Sequence, residues 1–136
     1  GMSTYKDIER AIKIFKNHKC KFILMHSVST YPCREEDLNL SLIPKLKKKY
    51  KCNVGYSGHE STLSPTIGAC YLGANSIERH ITLDRSMWGT DQASSLSPEG
   101  LRNLMAMINK IPTIKGDGKK RILEGEKVKS KELRYW

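Results

Sequence analysis

Two histidines sit just past short apolar runs, His59 in VGYSGHE (54–60) and His80 in SIERHIT (76–82). Strand alternation puts Glu78, His80 and Thr82 on one face, and lines His59 up with Ser57 and Gly55. Two neutral imidazoles converging from neighbouring strand ends, with coordination positions left open, would hold a divalent cation that must also bind substrate. A single histidine near a strand end is more commonly a hydrogen-bonded core or surface residue. On residue chemistry alone, both readings stand. Other polar groups fall at the same edge: His26, Ser27, Ser29 and Tyr31 after an earlier apolar run, Glu60 beside His59, and Asp84 and Asp91 in a following loop.

The elements that must position these groups alternate. Residues 5–17 place Ile8, Ala11, Ile12 and Phe15 at helical spacing, with Ser3 or Thr4 available as a cap. KFILMH (21–26) has the form of a strand buried on both faces. A helix is expected over 36–50, kinked or broken at Pro44. CNVGYS (52–57) reads as a second strand, with Gly55 where something approaches the backbone closely. A helix over 62–73 has Pro65 in its first turn and Gly73 at its end, and NSIERHITL (75–83) is the third strand. A long loop containing Met87 and Trp88 precedes a helix that starts at Ser97-Pro98-Glu99 and runs to about Ile111; the plain alternative for Tyr31, Met87 and Trp88 is that they are loop residues packing down on the rim. The order α-β-α-β-α-β-α implies a parallel sheet, whose ligands bind at the carboxyl ends of its strands. Residues 112–136 form a basic, weakly patterned tail.

Composition narrows the function classes. At 136 residues the chain suggests one domain, and no stretch approaches the ~20 apolar residues of a membrane helix. No secretory pattern opens it, and Cys20, Cys33, Cys52 and Cys70 lack zinc or disulfide spacing, so free thiols and a cytoplasmic setting are expected. The net charge of +10 raises nucleic acid as a partner. KLKKKYK (45–51) lies at a helix end, however, and the tail mixes four acids with its eight basic residues and lacks interleaved aromatics. Nucleic-acid binding is the weakest reading, and a positive field equally suits a phosphorylated small substrate.

The segments MHSVSTYPCREEDLNL (25–40), VGYSGHES (54–61), GANSIERHITLDR (73–85) and WGTDQASSLSPEGL (88–101) resemble the sialic acid synthase family. The resemblance runs from Gly1 to about Lys120, and its most specific part is GYSGHE combined with RHITLDR. It implies an α/β fold, a (β/α)8 barrel that condenses phosphoenolpyruvate with N-acetylmannosamine or its 6-phosphate, using manganese or magnesium. Carried across by motif, His59 and His80 match metal ligands, while Tyr31, Ser57 and Asp91 match positions that contact substrate. Ser29 falls at a substrate position where several members have asparagine. Gly58 stands where some members have aspartate, and a branch of the family has glycine there too. His80 and Glu78 are the residues assigned to catalysis, Glu78 as a carboxylate on the same face. The metal would polarise the sugar's carbonyl as a Lewis acid, and Asp91 would orient sugar hydroxyls.

The resemblance also implies that GMST follows a fifth barrel strand, so that residues 1–111 supply strands six to eight and their helices. The residues that handle the phosphate of phosphoenolpyruvate would then belong to the other half. Two readings follow: a segment of the enzyme that needs its other half, or a non-catalytic remnant that self-associates or binds metal. Unpaired strand edges and an open apolar face built from Phe22, Leu24, Val54 and Ile77 would favour a homo-oligomer.

Overall fold

A computed structural model describes residues 1–134. Three parallel strands, β1 (Leu24–Ser27), β2 (Val54–Gly58) and β3 (Ile77–Arg79), form a sheet in the order β1-β2-β3. Ser27 stands opposite Ser57, and Ser57 opposite Glu78. Helices α1 (Tyr5–Asn17), α2 (Leu42–Tyr50), α3 (Ser64–Tyr71) and α4 (Pro98–Ile108) alternate with the strands, giving the expected α/β order.

The caps explain where these helices begin. Thr4 accepts a hydrogen bond from the Asp7 N–H while the Asp7 carboxylate takes the Thr4 N–H, closing a capping box on α1. Ser97 accepts from the Gly100 N–H at 3.1 Å and starts α4. Gly73, just past α3, has φ +97, a conformation that a side chain would strain.

Several boundaries move. The first strand begins at Leu24 rather than Lys21, because pairing with β2 starts there, and Ile23 is half exposed. The helix over 36–50 is two pieces: a 3-10 turn at Glu35–Asp37, then α2 from Leu42. Asn39, at φ +44, makes the break, and Pro44 lands in the first turn of α2, where a missing N–H costs nothing. The third strand ends at Arg79, and beyond it the chain pairs with a different neighbour, Ile81 bridging Leu96 in parallel. The tail is more regular than its pattern suggests, with α5 (Ile111–Lys115) and α6 (Glu124–Leu133).

The core lies between the sheet and its helices. Val54 and Tyr56 pack with Ile43 and Leu46 of α2 and Ala69 of α3, while Leu24 and Ile77 close the margin. Side chains of that parity therefore face helices. The open apolar face expected from Phe22, Leu24, Val54 and Ile77 is not formed, since Phe22 stacks on Phe15 of α1 with centroids 5.5 Å apart. By alternation the opposite face carries Met25, Ser27, Gly55, Ser57 and Glu78. Gly55 is required there: a Cβ would fall 2.8 Å from the Ser76 carbonyl oxygen and 2.4 Å from Met25 Sδ.

Candidate functional site

His59 follows the last residue of β2 and is buried. Its Nδ1 lies 2.8 Å from the Val28 carbonyl oxygen, which can only accept, so Nδ1–H donates and the Nε2 lone pair is free. The same loop is tied back by the Cys33 N–H, which donates to the His59 carbonyl at 2.9 Å. His80 follows the last residue of β3, and its carbonyl accepts from the Leu96 N–H at 2.8 Å. The two imidazole centroids are 5.4 Å apart, with their planes inclined by 59°. Tyr31 covers them both, its ring centroid 4.2 Å from that of His59 and 5.8 Å, edge-on, from that of His80.

This spacing suits a shared cation. Rings that each place a nitrogen about 2.1 Å from one ion have centroids no more than roughly 6–7 Å apart. The tethered Nδ1–H of His59 is the usual outer support of a ligating imidazole. Among the described residues no set of three or more His, Cys, Asp or Glu side chains converges as a metal site. His59 and His80 form the adjacent pair of candidate donors here.

The remaining expected residues divide. Ser57 donates to Glu78 Oε1 at 2.7 Å, so these two form one polar unit on the face away from the helices. Asp91 Oδ2 stands 3.8 Å from His80 Nδ1, outside hydrogen-bond distance. Ser29 packs against Gly1, where a Cβ would fall 2.1 Å from its hydroxyl oxygen. His26 turns the other way, its Nε2–H donating to the Leu38 carbonyl at 2.7 Å, with its ring beside Tyr56. Met87 and Trp88 do not pack down: Met87 is 53% exposed and Trp88 fully exposed. Their loop is held instead by its own backbone and by Asp84, whose carboxylate takes the Ser86 N–H and hydroxyl.

Two residues beside the histidines have a role that the sequence reading missed. Glu60, wholly buried, accepts from Tyr56 Oη at 2.8 Å, Thr66 Oγ1 at 2.9 Å and Arg79 Nη1 at 2.9 Å. Arg79 also reaches Thr66 Oγ1 and the carbonyls of Glu60, Thr62 and Ser94. Burial lowers the Arg79 pKa from its usual range, opposed by the Glu60 charge. Burial and the hydrogen bond to Glu60 push the Tyr56 phenol well up, which keeps it a donor. A signal was available: Glu60 shares the helix-facing parity of Tyr56, and Arg79 that of Ile77. Opposite charges on the buried side of adjacent strand ends predict a pair.

Residues 1–120 match the NeuB family. The chain belongs to the NeuB family. This NeuB-family chain is 35% identical over 129 residues to an N,N'-diacetyllegionaminic acid synthase of Campylobacter jejuni, covering 93% of this chain and 39% of that protein. It is 32% identical over 134 residues to the human N-acetylneuraminate-9-phosphate synthase, covering 98% of this chain and 37% of that one. An uncharacterized protein of Methanocaldococcus jannaschii is 38% identical over 121 residues, 88% of this chain and 36% of that protein. Among solved structures, a sialic acid synthetase of Leptospira borgpetersenii, in complex with citrate, superposes with a TM-score of 0.83 at 38% identity. The match takes in all of this chain and 49% of that one. The three-stranded parallel sheet and its helices therefore match a fragment of a synthase, and the chain spans less than half the length of these relatives.

Proposed function

We propose that this chain is part of a sialic-acid-type synthase, contributing strands six to eight of a (β/α)8 barrel. The reaction proposed is condensation of phosphoenolpyruvate with N-acetylmannosamine or its 6-phosphate. The observation that supports it most is the pair of imidazoles 5.4 Å apart, with Nδ1 of His59 committed to Val28. His59 and His80 would hold manganese or magnesium, which when bound supplies Lewis-acid polarisation of a carbonyl oxygen. Tyr31 lies against both rings. Glu78, oriented by the Ser57 hydroxyl, presents an exposed carboxylate that accepts sugar hydroxyls or holds a proton. Asp91, 3.8 Å from the His80 ring, would orient sugar hydroxyls, while Ser29 and Ser57 would contact the sugar or phosphoenolpyruvate. Four unpaired cysteines accord with a cytoplasmic enzyme.

The test is manganese binding by the 136-residue chain, followed through loss of the free-ion EPR signal. One site is expected, weakened at least about tenfold in His59→Ala and in His80→Ala, since even outer-shell changes at metal sites cost that much. Equal affinity in all three proteins would remove the cation site from these residues.

A further inference from the structure

We infer that Arg79 is the positioning residue of the candidate site, one guanidinium that fixes the geometry of His59, His80 and Asp91 together. The proposal rests on the cation-site reading above. Arg79 adjoins His80 in the chain, so locking its side chain locks the end of β3. Through Nη1 it grips the Glu60 carboxylate at 2.9 Å, and through Nη2 the Glu60 carbonyl at 2.5 Å, holding both ends of the residue that follows His59. Through Nη2 it also reaches the Ser94 carbonyl at 3.5 Å. Ser94 and Ser95 in turn donate their hydroxyls to the Asp91 carbonyl at 3.0 and 2.8 Å. Three segments that carry site residues thus meet on one rigid fork.

Lysine cannot reproduce this arrangement, because an ammonium lacks the planar spread of donors that reaches carboxylate and carbonyls at once. The side chains of Arg79 and Glu60 are 3% and 0% exposed, so the fork works without competition from water. Both point toward the helices, away from the face of Ser57 and Glu78, so neither touches substrate. They act through the histidines.

The experiment separates positioning from stability and from the cation reading. The double variant Glu60→Leu/Arg79→Met replaces the pair with apolar groups of similar size, which removes both charges together rather than leaving one uncompensated. Without metal, NMR should show contacts between the Tyr31 ring and both imidazoles in the wild-type chain, and a single His59 tautomer with Nδ1 protonated. The double variant should melt cooperatively yet lose the Tyr31–His80 contact, and should bind manganese about tenfold more weakly. Arg79→Lys should recover only part of both. If the double variant does not fold, Arg79→Lys carries the same two readouts. Ring contacts and manganese affinity within twofold of wild type in a folded variant would overturn the proposal. Wild-type ring contacts without any manganese binding would sink the cation reading alone, leaving the positioning role to stand on the NMR.

Discussion

Glu60 and Arg79 show how much a single buried group can demand of its partners. Glu60 is completely buried, and its carboxylate is satisfied by Tyr56, Thr66 and Arg79. Removing one member of such a pair leaves the other charge without compensation, which costs about 3–5 kcal/mol. Glu60→Ala should therefore lose that much stability in denaturant titrations, far more than the Leu/Met double exchange. A loss below about 1 kcal/mol would mean that water replaces the carboxylate, and that the guanidinium is less enclosed than its 3% side-chain exposure indicates. His59 illustrates the same economy at the site itself. One ring nitrogen is spent on Val28 so that the other points with a defined lone pair.

Among the elements, β2 sets the register for everything around it. It is buried along its whole length and pairs on both sides, so a fault in it reaches β1 and β3 at once. Gly55 is its second residue, with the Ser76 carbonyl and Met25 closing the space where a Cβ would stand. Gly55→Ala should cost about 1–3 kcal/mol by overpacking, read as a lowered melting temperature. An unchanged melt would show that Met25 moves aside and that the backbone contact tolerates a methyl group. The helices around β2 are joined by charge as well as by packing. Lys49 of α2 pairs with Glu9 of α1 at 2.9 Å and lies 4.2 Å from the Tyr5 ring centroid, so part of the lysine run fastens one helix to the next.

At the scale of the molecule, the sheet is open at both ends among the described residues, with β1 and β3 at its edges apart from the single bridge to Leu96. Helix α1 buries Ile12 but leaves Ile14 and Phe15 substantially exposed. Open edges and apolar surface recruit other chains, so the 136 residues studied alone should self-associate at micromolar concentration. Light scattering that returns a monomer mass would count against this. The relatives are more than twice as long as this chain, and residues that act as a unit lose nearly all activity when part is missing. The purified 136-residue chain, given manganese, phosphoenolpyruvate and N-acetylmannosamine, should show no condensation product. Turnover above background would mean that these residues assemble a complete site. In the tail, local pairs tie Lys127 to Glu124, Lys129 to Glu132 and Arg121 to Asp117.

By itself the sequence determined the α/β alternation, the cap at Ser97, the close approach at Gly55 and, through GYSGHE and RHITLDR, the family. These are local properties: periodicity, capping chemistry and residue type are written in adjacent positions. Which face of each strand meets the helices was decided by tertiary packing, because alternation defines two faces without saying which is covered. That choice put Val54 and Ile77 in the core, turned His26 away from the other histidines, and left Ser57 beside Glu78. It also buried Glu60 against Arg79 behind the imidazoles. Ion pairs between residues 19 positions apart exist only once two strand ends are neighbours, and only the fold makes them so.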